Sequence, residues 1–462
     1  MKYEKGILLI LSLITFTAVL NFYATLLMSS EPMLTSKTLK NHYLKIDENP
    51  TFFMKNMKIA HLGLQPVKYT SHKFFVYSAY FDARTDPAFI RILGITTTRR
   101  INSDQVWCEF RYSEANASHA CANSTDCHVK AKVQIIHENW NKEYSACFII
   151  CPLPEPLHNI TVPDSVSVTT GKKVEGGESH SNQLPVTWAA GRKSKPVTSN
   201  NIGICTSAMY HHYNRTQELL EFIELNKILG VTKFTFYNQS ISSDVNCILQ
   251  HYISEGTIQV LPWNISMLES FKNEKIHNYG QAMALNDCLY RNMNDFQYLL
   301  FIDLDEIIVP HSHDTLLQML DHINAKHQPS SAYIFRNSFY YLDSLDDEQA
   351  KYPLRVLKKT EHSLQFNPYR ERSKYITVPN KINEVGIHFI WEFSRGQAKN
   401  FNVPISYGYS HHYRKWNRSK TPPDPKRDRT LFRYQEQLHL NIQNQVKKIS
   451  VQQNCQLTSL NS

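Results

Sequence analysis

The chain has 462 residues, with 50 Lys and Arg against 41 Asp and Glu for a formal net charge of +9. That length allows two or three domains and a large core. The basic excess is modest and no five basic residues run together, which argues against a nucleic-acid partner; an anionic nucleotide or a membrane surface fits the balance equally well.

In chain order, residues 1–5 read as a short cytosolic tail and 6–28 as a transmembrane signal-anchor. The apolar run would span about 34 Å as a helix, enough for a bilayer core. Lys2 and Lys5 precede it, which predicts a single-pass type II orientation with the remainder of the chain across the membrane. A cleaved signal peptide is the rival, but no small-x-small exit follows the run. Residues 29–70 carry no sustained period and read as a stem.

From 71 to 170 the chain predicts a small β-rich module, sandwich-like, from short aromatic and β-branched segments: 74–80, 89–95, 106–110, 129–133 and 146–150. Its aromatics read as core or as a sugar-binding platform. Cys108, Cys121, Cys127, Cys147 and Cys151 cluster here. An oxidising lumen predicts disulfides within this cluster, and the odd total of nine cysteines leaves one over. Seven Asn-x-Ser/Thr sites, at Asn116, Asn123, Asn159, Asn214, Asn238, Asn264 and Asn417, all follow the anchor, in keeping with a lumenal chain. Residues 171–200, with several Gly and Pro, read as a linker.

From 201 to 440 strands and helices alternate: strand 201–205, helix 216–229 closed by Gly230, strand 231–237, helix 245–254 ended at Gly256, strand 257–261, helix 279–293 and strand 298–303. This predicts an α/β fold with a mostly parallel sheet and ligands at the strands' carboxyl ends. Residues 441–462 read as a C-terminal tail.

The strand 298–303 delivers Asp303, Asp305 and Glu306 to its exit. On an extended chain Asp303 and Asp305 point to one side and can share a divalent cation, Mn²⁺ or Mg²⁺ by the preference of hard cations for oxygen. Ordinary surface acids are the alternative. A second rival is a phosphatase with a nucleophilic Asp-x-Asp, but that fold needs its strand to open the domain. In Tyr409-Ser410-His411-His412-Tyr413-Arg414 a histidine could complete the metal site and Arg414 could hold phosphate, with a solvated or core histidine pair as the bland alternative. The pair at Tyr210-His211-His212-Tyr213 is left unassigned.

The succession 229–238, Tyr279-Gly280-Gln281 through Arg291, and Phe301-Ile302-Asp303-Leu304-Asp305-Glu306 resembles glycosyltransferase family 92. So do Arg372-Ser373-Lys374-Tyr375-Ile376, Gly386-Ile387-His388-Phe389-Ile390-Trp391, His411-His412-Tyr413-Arg414 and the early stretch 77–84. The resemblance implies a Golgi membrane enzyme with a GT-A domain that moves galactose from UDP-galactose, with inversion and a β1,4 linkage. The acceptor would be galactose or fucose of glycoprotein N-glycans. It further implies Asp303, Asp305 and His412 (or His411) at the metal, Lys374 and Arg414 at the phosphates, and Asp305 among the catalytic groups. Glu392 is the candidate base, with Glu384 as its rival. Tyr237, Gln281, Asn286, Asp287 and Arg291 could face the nucleotide, with core packing or capping as the alternative for each. A lumenal sugar-binding or scaffold protein without turnover is the reading from another class, and a homo-oligomer is allowed.

Overall fold

The computed structural model describes residues 63–70, 73–99, 105–112, 127–153, 162–170, 182–191, 201–265, 275–397, 399–415 and 425–452. The expected tail, membrane span and most of the stem lie outside these residues, as do Asn116, Asn123, Asn159 and Asn417. Among the described residues no helix is long and apolar enough to cross a membrane.

The segments Phe74–Ala83, Phe89–Thr97 and Tyr144–Pro152 are buried along almost their whole length. They lie side by side in a nine-stranded sheet made from residues 65–191. The predicted strand 129–133 is broken at Ala131, because its halves pair with different neighbours: His128–Lys130 with Trp107–Arg111, and Lys132–Ile135 with Tyr144–Pro152. Cys108–Cys151 bridges two strands of this sheet, a pairing within the predicted cluster, and Cys127 is also disulfide-bonded.

Leu184–Gly191, expected in the linker, is a strand. It lies parallel to Phe74–Ala83 at the sheet's centre, with Ala79 opposite Val186 and Ala83 opposite Gly191. A partner about a hundred residues away outweighs the local turn chemistry of its Pro and Gly. Nor do the sheet and the following α/β region have separate interiors: one apolar cluster includes Phe75, Tyr77 and Tyr80 together with Tyr237, Trp263 and Leu289.

The α/β region builds a seven-stranded sheet in the order Ile258–Pro262, Val231–Asn238, Ile202–Met209, Tyr298–Phe301, Lys374–Thr377, Ala332–Phe335, Asn400–Val403. The first four strands are parallel, as predicted; Lys374–Thr377 runs antiparallel to both of its neighbours. Helices Thr216–Ile228, Ser243–Ser254 and Gln281–Asn292 connect the parallel strands. Gly230 and Gly256 follow the first two with φ of +100° and +72°, left-handed conformations that glycine takes without a Cβ clash.

Glu306–Pro310, Gly408–Arg414, Asn337–Tyr341, Glu361–Ser363 and Pro425–Arg427 form a further five-stranded sheet. Ile382–Val385 and Ile390–Phe393 make a two-stranded hairpin. The helix Gln435–Gln452 occupies much of the expected tail, because Leu438, Ile442 and Ile449 give it a buried face.

Candidate active site

The acidic run is a junction between two sheets. The strand from Tyr298 stops at Phe301, Asp303-Leu304-Asp305 turn, and the chain re-enters a different sheet as Glu306–Pro310. A hydrogen bond from Glu306 N–H to Asp303 C=O, 3.1 Å, closes the turn, and Tyr413 N–H donates to Asp305 C=O at 2.8 Å. The expectation of one extended strand with both aspartates on a single side is therefore corrected: a tight turn sets their directions.

Strand register brings two cations here. Phe301 pairs with Tyr375, so Lys374 sits just past the end of the acidic strand, and Glu306 pairs directly with His412. Lys374, only 2% exposed, lies 2.6 Å from Asp303 and 3.6 Å from Glu306. Burial would discharge this ammonium, but Asp303 and Glu306 raise its pKa above the usual lysine value. It is thus the counter-ion of Asp303 and Glu306 in this structure.

His412 Nδ1 is 2.7 Å from Glu306 and its Nε2 is 3.5 Å from Asp305. Burial favours the neutral ring, yet the charge of Glu306 and the hydrogen bonds to both carboxylates push the pKa up to about 10. Through these two contacts His412 holds Asp305 and Glu306 in place, with its Nε2 on the side of Asp305. The same contacts matter for Asp305: burial alone would raise it, and His412 and Lys374 hold it below the usual carboxylate range.

A hard divalent cation fits what remains. Three carboxylates face two cations, leaving one negative charge in excess, and Asp303 and Asp305 keep side-chain exposures of 28% and 33%. Ser207 and Gln281 also donate to Asp303 Oδ1, at 3.2 and 3.3 Å. Gln281 is therefore at the cluster as expected, as an outer support of the carboxylate.

His411, the other candidate ligand, points to the opposite face of its strand. Its Nε2 is 3.1 Å from Tyr340 Oη and 3.7 Å from Asp428, and His311 lies near the same carboxylate. Among the described residues His311, His411 and Asp428 are the three-residue set whose ligand atoms lie within 4.8 Å of one another. Their oxygens are already engaged: Tyr340 and Tyr409 donate to Asp428 Oδ2 at 3.0 and 2.5 Å, and Thr430 N–H to Oδ1 at 2.7 Å. Asp428 is thus saturated, while among the described residues His311 Nε2 and His411 Nδ1 are buried without a hydrogen-bond partner. Burial outweighs Asp428 and pushes the His411 pKa down to about 3.

The adjacent histidines should therefore shape stability in opposite directions. His412, raised above the ordinary value near 6.5, contributes fully below that pH and loses its contribution as pH climbs towards about 10. His411, held neutral, costs stability as pH falls from about 6.5 towards 3. In urea titrations with chelator, His412→Gln should flatten the alkaline limb and His411→Phe the acid limb.

Four expected nucleotide contacts, Tyr237, Asn286, Asp287 and Arg291, are not at the cluster. Tyr237 is buried with its hydroxyl donating to Asp287 at 2.7 Å, and Arg291 pairs with Asp287 at 3.0 Å. Asn286 donates to Ala282 and Val385 carbonyls and accepts from Val385 N–H. All four bind the helix Gln281–Asn292 to its surroundings or brace it internally. Glu392, the expected base, accepts from Asn383 at 3.0 Å and Gln134 at 3.4 Å, and Glu384 is buried against His137; the structure brings neither to the acids. Arg414 is exposed, with its guanidinium 4.9 Å from the Phe339 ring, and that ring lies 5.2 Å from His412.

Sequence reasoning gave no role to His388, Tyr210 or Tyr279. His388 is held neutral, its pKa pushed down to about 4 by burial and by Lys374, with Asp303 among its charged neighbours. Burial raises the Tyr210 pKa, and Asp303 and Asp305 raise it further. Tyr210 packs on Tyr279 at 4.7 Å, and Tyr279 Oη is 3.0 Å from His211 Nε2. His211, His212, Asn278 and Tyr279 all have positive φ, strain that the surroundings must sustain. The unassigned Tyr210–Tyr213 run was the available signal.

The sequence profile of glycosyltransferase family 92 matches residues 200–450. Beta-1,4-galactosyltransferase galt-1 of Caenorhabditis elegans is 24% identical over 258 residues, covering 54% of this chain and 53% of that protein. A family 92 protein of the same worm is 26% identical over 215 residues, covering 45% and 41%. The chain thus spans about half the length of the curated relatives it matches. Among solved structures, S. aureus TarS in complex with UDP-GlcNAc aligns at 14% identity over 48% of this chain and 61% of that one, with a TM-score of 0.27, too partial a superposition to bear on donor or fold. The family profile covers more than half of the chain, and the chain belongs to glycosyltransferase family 92.

Proposed function

We propose that the chain is a divalent-cation-dependent, inverting β1,4-galactosyltransferase with a GT-A catalytic domain. It takes UDP-galactose as donor and a galactose or fucose of glycoprotein N-glycans as acceptor. The observation that carries this reading is the turn Asp303-Leu304-Asp305, presented at the carboxyl end of a parallel strand and braced by Lys374 and His412, in a family 92 chain with a galactosyltransferase relative. Mn²⁺, or Mg²⁺, is the cation that two carboxylates would favour.

The chain's own groups divide the work. Lys374, Ser207 and Gln281 fix Asp303, and His412 fixes Asp305 and Glu306, so the carboxylates need no reorganisation when the donor arrives. A cation bound at Asp303 and Asp305 would supply charge neutralisation for the leaving UDP. Arg414, exposed beside Phe339 and His412, is available to the donor's phosphates.

A type II Golgi membrane location accompanies this reading. Support comes from the apolar run 6–28, the sequons that follow it, and the Cys108–Cys151 and Cys205–Cys288 disulfides, which suit an oxidising lumen. The test offers the purified full chain a panel of UDP-sugars with Mn²⁺ and mixed N-glycans and reads products by mass and linkage analysis. One added hexose, from UDP-galactose alone and in β1,4 linkage, is the expected result. Transfer from a different UDP-sugar overturns the donor assignment.

A further inference from the structure

The nine-stranded sheet precedes the family-matched region and grips the catalytic side at several places, among them Ser78 and Tyr80 on Asp287, Arg84 on the Ile382 carbonyl, and the tip of one hairpin. His137 and Glu138 follow its strand Lys132–Ile135 and meet the hairpin formed by Ile382–Val385 and Ile390–Phe393. His137 N–H donates to Glu384 at 2.8 Å, and its ring stacks on Trp391 at 5.4 Å. Glu138, 9% exposed, accepts from Ile387 N–H at 2.7 Å and from the Trp391 indole at 3.1 Å. The approach is so close that a Cβ at Gly386 would collide with both Glu138 and Trp391.

From the other side the Tyr375 hydroxyl donates to Gly386 C=O, and Gly386 N–H donates to Phe389 C=O at 2.9 Å. The tip 386–389 is thereby held between the two sheets. His388 stands on it, with Nδ1 3.3 Å from the carbonyl of Ser373, the residue before Lys374. A carbonyl only accepts, so Nδ1 carries the proton and Nε2 keeps its lone pair. Phe301 stacks on Tyr375 at 5.1 Å, which continues the contact to the acidic strand.

We propose that Glu138 is a positioning residue for the transfer reaction: it fixes the tip 386–389 so that His388 stands beside the Asp303–Lys374 pair. This rests on the transferase reading above. It makes the N-terminal sheet an obligatory part of the catalytic machinery, with no independent binding role required of it.

The full chain should be compared with Glu138→Ala, Glu138→Gln, His388→Ala and the Glu138→Ala/His388→Ala double variant. UDP-galactose, Mn²⁺ and mixed N-glycans serve as the transfer assay, and amide hydrogen exchange is followed at 386–391. Glu138→Ala should lower kcat roughly tenfold to a hundredfold, the scale of a small misplacement, with the donor KM within about threefold and faster exchange at Ile387. Glu138→Gln keeps an acceptor oxygen and should recover most of kcat. The double variant should be no worse than His388→Ala, since the two act through one another. Unchanged exchange in Glu138→Ala overturns the proposal, as does an intact kcat in that variant or fully additive losses in the double variant. If the wild-type chain transfers nothing, the transferase reading fails and the exchange experiment still decides the brace.

Discussion

Asp305→Asn should lower galactose transfer by roughly a hundredfold or more, the scale for removing a group that acts on developing charge, with little change in thermal stability. Asp305 is the cleaner of the two aspartates to test. Its side chain is 33% exposed, and His412 at 3.5 Å also holds the shorter contact to Glu306. Asp303→Ala is a poorer probe, because it strips buried Lys374 of its nearest counter-ion. A loss on the order of 1–3 kcal/mol of stability would accompany the lost activity there. Measuring kcat and melting temperature for both variants separates the effects. Full activity in Asp305→Asn would remove the carboxylate from the site.

Asp287→Ala should be among the most damaging single changes to the fold. This carboxylate, fully buried, accepts from the Ser78 and Tyr80 hydroxyls of the N-terminal sheet at 2.5 and 2.6 Å, from Tyr237 at 2.7 Å and from Arg291 at 3.0 and 3.1 Å. Burial would raise its pKa, but Arg291 and the hydroxyls lower it. Removing it leaves a buried guanidinium without its partner, worth about 3–5 kcal/mol, a large part of the stability of an ordinary domain. Urea unfolding of the variant should show that loss. An Asp287→Ala/Arg291→Met double variant should recover part of it, because both charges then leave the interior.

These two predictions also mark what sequence could deliver. The parallel strands were legible because each is a short apolar run bounded by Gly, Pro or polar residues, and Gly230 and Gly256 announced the ends of their helices. Leu184–Gly191 was not, since what makes it a strand is a partner that local composition does not name. Tyr237, Asn286 and Arg291 looked like ligand contacts because they are polar and lie near a ligand-binding edge. Their partners, Asp287 and Val385, turn them inward, and Asp287 itself joins the helix to a sheet about 200 residues earlier in the chain.

Within the site, the carboxylates were legible from motif and spacing and Lys374 from the family resemblance, but the contacts of Lys374 needed the register that sets Phe301 against Tyr375. His411 and His412 could have been separated once their segment was known to be a strand, since neighbours on a strand face opposite ways. Glu392, expected as the base, lies away from the acids for a different reason. That residue belongs to a hairpin whose position depends on Glu138 and Tyr375, contacts invisible to any local reading.

The central claim is that Asp303 and Asp305 hold a cation on which transfer from UDP-galactose depends. A titration of chelator-treated full chain with Mn²⁺, reading galactose transfer and UDP binding together in wild type and Asp305→Asn, tests it most directly. Both signals should rise together in the wild type, saturate, and be absent or strongly weakened in the variant. Transfer that proceeds in chelator, or that rises equally in Asp305→Asn, would contradict it.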